Sequence, residues 1–243
     1  MSSIEFGPNG AATPRGEAVE TIKAELTHRQ HAFENGRTRS VAGLARYARL
    51  SLAVAIVMMA LGAVAIALYT FAPDVLPDIF YQWGEGDFNA GYLLDWGYTA
   101  SVIVAFVCVG RFTYRAMKNL HTLGNEYAHM PPGWTVGWYF IPLASLWQPV
   151  MGMSQIWRGS HQAAGEPQPS MQLLTVWWAA WILQSVPDLL AGLWEGSDLL
   201  VVLLYAASSV LTAVAAGALY VIIGRIAALQ DTFERGGVAS VFE

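Results

Sequence analysis

The chain is short of charge. Asp, Glu, Lys and Arg make up 13% of its 243 residues, about half the share of a typical soluble domain, while 55% are hydrophobic. So few charges cannot cover a water-facing surface, and the deficit points to a bilayer. Cysteine is limited to Cys108, which excludes an intrachain disulfide and a thiolate-rich metal site. The opening residues lack a basic segment followed by a short apolar run, so no cleaved leader is expected and the first span should insert and stay.

Catalytic signatures are missing as well. There is no Gly-x-x-x-x-Gly-Lys loop, no His-Glu-x-x-His and no Gly-x-Ser-x-Gly. His28, His31, His121, His129 and His161 all fall outside the apolar runs, which excludes a haem held by paired transmembrane histidines. His28 and His31 share a helix face, but no second ligand pair accompanies them, so neither a metal nor any other cofactor is expected. Ser154, Ser160 and Ser170 lie near His161 in sequence, which is thin support for a nucleophile and base. No catalytic residue and no nucleic-acid partner is expected.

What is present is apolar length. Four runs, at about 50–71, 92–110, 173–194 and 199–224, predict transmembrane helices. The first is free of charge and covers ~33 Å at ~1.5 Å per residue, enough for a ~30 Å hydrocarbon core. Arg37, Arg39, Arg46 and Arg49 precede it, while Asp74, Asp78, Glu85 and Asp87 follow it in a loop without Lys or Arg. Trp83, Phe88 and Tyr92 suit an aromatic belt at that outer surface. Residues 1–43 form an N-terminal region, with a Thr13-Pro14 helix start and an apolar stripe of Val19, Ile22, Leu26 and Phe33 ending at Asn35-Gly36. Residues 44–229 form the membrane domain and 230–243 a polar tail.

Between the second and third runs lies a different stretch, 133–157, crowded with Trp and Tyr and broken by Pro142 and Pro149. If it crossed the bilayer, Arg158, Arg225 and Arg235 would lie outside and Glu195 and Asp198 inside. If both its ends stay on one side, four spans result, all 13 Lys and Arg are cytoplasmic and the outer loops carry only acids. The second threading obeys the positive-inside rule. Each proline also removes a backbone donor and disfavours helix in the residue before it. The stretch is therefore expected to be a re-entrant element or a pair of short helices at the inner interface. Its candidate partner or interface residues are Trp134, Trp138, Tyr139, Pro142, Trp147 and Pro149.

Three motif segments resemble a known family. They are Arg115-Ala116-Met117-Lys118-Asn119-Leu120, the Pro132-Gly133-Trp134 to Trp147-Gln148-Pro149 core, and Trp177-Trp178-Ala179-Ala180-Trp181. Together they resemble a bacterial integral membrane family classified only as a domain of unknown function, over roughly Leu44 to Leu229. This chain has Ser145 where that family usually has Asn. The resemblance implies the architecture and a bacterial inner membrane, and lends no activity.

Further candidates follow from charge and size. Asp95 and Asp188 lie just inside the outer ends of their spans, where a carboxylate needs water, a cation or a partner. Pro187 frees a carbonyl near Gln184, which joins them as a candidate ion-attracting residue. Gly97, Ser101 and Ala105 on one span, and Ser209, Ala213 and Gly217 on another, recur every four residues and make candidate helix-packing faces. Arg111, Arg115 and Lys118 are candidate anionic-lipid contacts. The expectation is a multi-pass helical protein with both termini cytoplasmic, contacting lipid and other transmembrane helices as a homo-oligomer or within a complex. Its first functional reading is a non-catalytic accessory, scaffold or regulatory protein. The alternative is a small cation or solute channel or transporter with an outward-facing acidic vestibule.

Overall fold

The computed structural model describes residues 38–72, 74, 90–193 and 198–239. The expected N-terminal helix, Trp83 and Phe88 of the belt, and the loop acids Asp78, Glu85, Asp87 and Glu195 lie outside the described residues. Seven α-helices occur among the described ones: α1 (Ala42–Phe71), α2 (Ala90–Thr122), α3 (Trp134–Gly137), α4 (Gln148–Ala163), α5 (Gln172–Leu183), α6 (Ser185–Leu193) and α7 (Asp198–Ala239). Four stretches are long and apolar enough to cross a membrane, namely Ala42–Leu68, Tyr92–Thr122, Gln172–Leu193 and Leu199–Phe233. The protein is thus an all-α membrane protein of four spans, with no strand among the described residues. Along α1, Leu50, Val54, Val57, Leu61 and Val64 form an exposed outward stripe suited to lipid.

The helices outrun the apolar stretches that announce them. The second span was expected to end near Gly110, yet α2 continues to Thr122. Beyond Gly110 one face carries Arg111, Tyr114 and Lys118, all exposed, and the other carries Phe112, Ala116, Met117 and Leu120, all buried. Charge ends the apolar run there without ending the helix. α7 likewise reaches Ala239, and α1 begins at Ala42, with Val41, Ala45, Ala48 and Leu52 buried at spacings of four and three. The third span is two helices rather than one, interrupted at Gln184. Pro187 has no N–H to offer the carbonyl of Leu183, so the ladder opens at that turn.

α1 packs between α2 and α7, and α7 also carries α5 and α6, while α4 lies across α2 and α7 near the arginines. That basic end holds the dense core, with Phe112, Met117, Trp157, Ile222 and Ile226 almost fully buried. It also holds a polar clasp. The Asn119 side chain donates to the carbonyl of Arg39 (2.9 Å) and to Gln230 Oε1 (3.0 Å) and accepts from the Arg39 N–H (3.2 Å). Gln230 in turn donates to Ser160 Oγ at 3.1 Å and to the Ala116 carbonyl at 3.2 Å. Three helices, α2, α4 and α7, and the segment leading into α1 meet through these two amides.

The central stretch is one short helix, two 3-10 turns (Trp138–Phe140 and Ala144–Leu146), then α4, which runs beyond the expected limit at 157. Its prolines act differently. Ile141, before Pro142, is extended, with φ −104° and ψ 111°, and the chain turns there. Pro149 occupies the first turn of α4, where a missing N–H costs nothing. One side of the stretch is buried through Thr135, Ala144, Met153 and Trp157. The other leaves Phe140 and Leu143 more than 70% exposed (74% and 73%), with Leu146, Trp147 and Met151 beside them, an apolar surface fit for the headgroup level of a bilayer.

Candidate functional site

Away from the dense end the bundle is hollow. A cavity of about 650 Å³ runs along its axis, lined by the inward faces of all four spans. The periodicity is helical throughout: Leu52, Ile56, Met59, Ala63 and Ile66 from α1, Asp95, Tyr98, Val102, Ala105 and Val109 from α2, Trp177, Trp181, Gln184 and Asp188 from α5 and α6, Tyr205, Ser209, Thr212 and Ala216 from α7. Asp95 and Gly110 both line it, ~22 Å apart along α2 at ~1.5 Å per residue.

Polar groups are unevenly placed. The α1 lining is wholly apolar, from Leu52 to Ala67. The other helices bring Asp95, Tyr98, Gln184, Asp188, Tyr205 and Thr212 to the half away from the basic end. Thr212 Oγ1 is hydrogen-bonded to Gln184 Oε1, which joins α7 to the break between α5 and α6. Asp188 sits in the first turn of α6, where the helix dipole favours a negative charge. Both aspartates are exposed, as carboxylates at a cavity mouth must be unless paired.

The floor at the other end comes from the Pro-broken stretch. Val136 and Tyr139 line it, and a methyl on Gly110 would stand 3.3 Å from Val136 Cγ1, so the glycine permits close approach. Phe106 meets the Tyr139 ring edge-on at 5.7 Å and the Trp181 ring at 6.2 Å, bridging α2 and α5 above the floor. Burial pushes the Tyr139 phenol well above its ordinary value, so it stays protonated.

The three ion-attracting candidates, Asp95, Gln184 and Asp188, therefore line one cavity. Tyr98, Tyr205, Thr212 and Trp181 line it too and were missed; the readable signal was polar side chains at helical spacing inside apolar runs, as in Tyr205, Ser209 and Thr212. Of the small-residue candidates, Ser101 and Ala105 are buried and Gly97 faces the tip of Met58, whereas Ser209 lines the cavity and Ala213 and Gly217 are half-buried, with nothing within 4 Å of a methyl placed at Gly217. Trp134 stacks on Trp138 at 4.7 Å, and Trp147 is exposed. Arg111 and Lys118 are exposed, Lys118 lying 6.0 Å from the Tyr114 ring, while Arg115 is half-buried.

The serines near His161 do not form a nucleophile and base. Ser154 donates to the Met151 carbonyl, Ser160 accepts from Gln230, and His161 Nδ1 donates to the Trp157 carbonyl at 2.8 Å. Ser145 caps its own turn by donating to the Pro142 carbonyl at 2.7 Å. Among the described residues no three His, Cys, Asp or Glu side chains converge as metal ligands would.

The family model named Domain of unknown function (DUF4328) matches residues 89–228, more than half of the chain, and the protein is a member of that family. The match starts at 89, so α1 lies outside it, whereas the motif resemblance extended to Leu44. Comparison with curated proteins and with solved structures returned no match.

Proposed function

We propose that the protein is a small solute transporter or channel whose acidic cavity mouth faces outward and collects cations. The observation that carries this reading is that Asp95, Gln184 and Asp188, from two separate spans, line a single cavity that continues along the bundle axis. Burying carboxylates within a span is costly, and such residues, where they face a cavity, mark a substrate or ion path. The distribution of Lys and Arg supports placing the arginine end in the cytoplasm, and the motif resemblance supports a bacterial inner membrane. Flux of cations into proteoliposomes tests the reading. Asp95→Asn and Asp188→Asn should each lower uptake at low salt by about tenfold or more, the range by which a charged cleft concentrates its ligand. Absent flux, or flux untouched by both substitutions, overturns it.

A second reading, the accessory or scaffold protein acting through helix contacts, is favoured by half-exposed Ala213 and Gly217, beside which another helix could lie closely. A lone monomer in native mass spectrometry, without a co-purifying partner, counts against it.

A further inference from the structure

We infer that the ligand of this cavity is an organic ammonium ion with an apolar body, rather than an inorganic cation. The inference rests on the reading of the cavity as a solute site and specifies what that solute is. Size comes first. A volume of about 650 Å³ is that of a pocket for a drug-sized molecule, and a single ion would leave most of it unfilled.

Chemistry separates the two ends. A path for inorganic cations needs oxygens along its length to replace the hydration shell. Here the α1 wall offers none, and the lower half is closed by Phe106, Trp177, Trp181 and the Tyr139 ring. Such a surface solvates a hydrocarbon or aromatic body, and the thioethers of Met58 and Met59 add soft contacts that tolerate variation in shape. The upper half supplies what an ammonium head requires. An ammonium donates hydrogen bonds and accepts none, and the Asp95 and Asp188 carboxylates accept and donate none when ionised.

The ligand the cavity fits is thus elongated, cationic at one end and apolar through its middle.

The test is direct binding to the full chain in nanodiscs, with empty nanodiscs as the partition control. Naphthylpropylamine, naphthylpropanol and sodium or potassium chloride are the probes. The amine should bind at least about tenfold more tightly than the alcohol, the yield of one charge-assisted hydrogen bond. In Asp95→Asn/Asp188→Asn the amine should fall to the affinity of the alcohol, and the alcohol should bind unchanged. Equal binding of amine and alcohol to the unaltered protein, or amine retention no greater than in empty discs, overturns the inference without any variant. The two readings fail separately. Amine binding without flux keeps this inference and removes transport, whereas inorganic cation flux without amine binding keeps transport and removes this inference.

Discussion

Asn119 shows how much of this fold depends on single polar side chains at the basic end. It is buried, and its amide satisfies both backbone groups of Arg39 as well as Gln230, far away in sequence. Asn119→Ala strands the Arg39 carbonyl and removes the Gln230 partner, which should cost about 1–3 kcal/mol for a buried group left unsatisfied. In a chain of this length that is about 2–4 °C of Tm for each kcal/mol, read by thermal unfolding in detergent micelles. Asn119→Leu combined with Gln230→Leu should cost less than the two single substitutions added together, because neither amide is then left facing an apolar partner. Strict additivity would show that the clasp carries no coupling. None of this was readable in the chain, since Asn119 stands in a polar linker pattern and Gln230 in an expected tail, and only the packing of α2 against α7 joins them.

The elements were legible where a local pattern decides them and opaque where a contact does. Four spans follow from apolar length, and the turn at Pro142 follows from proline chemistry. The extent of α2 and α7 did not, because the turns beyond their apolar runs are held by burial, at Met117 and Leu120 in α2 and at Ile226, Leu229 and Phe233 in α7, which no run of residues announces. Asp95 and Asp188 stood out as charges in apolar surroundings, whereas Tyr98 and Tyr205 read as ordinary interfacial aromatics until the helix faces were placed. The aromatic stretch was visible as an anomaly, and its role as a floor was not. Its anchor is α4, whose Gly159 is pressed so closely on the end of α2 and the loop after it that a methyl there would lie 2.8 Å from Leu120 Cδ1 and 2.8 Å from Asn125 Oδ1. Asn125 also donates to the Gly159 carbonyl at 3.1 Å. Gly159→Val must force this contact apart, and overpacking of that kind costs about 1–3 kcal/mol. Hydrogen exchange of the α4 amides should accelerate by roughly tenfold as the helix opens more often. Unchanged protection would mean that α4 is held by its other contacts alone.

At the scale of the molecule, charge and cavity have one common axis. Arg39, Arg46, Arg49, Arg111, Arg115, Lys118, Arg158 and Arg225 belong to the end of the bundle where α4 packs, while Asp74, Asp95 and Asp188 belong to the opposite end. A bilayer reads such a difference as orientation, since basic residues flanking spans stay in the cytoplasm. The cavity inherits that orientation. In the orientation proposed above, its carboxylate mouth opens toward the outside, and its floor, made from Val136 and Tyr139, lies toward the cytoplasm. Cys108 is the only thiol to remove before sidedness can be measured. In a Cys108→Ser background, Ser197→Cys should react with an impermeant maleimide on intact cells, and Glu166→Cys only after permeabilisation. The reverse labelling would turn the protein over in the membrane and place the acidic mouth on the cytoplasmic side, where a cation would be collected for export and the aromatic floor would stand between it and the outside.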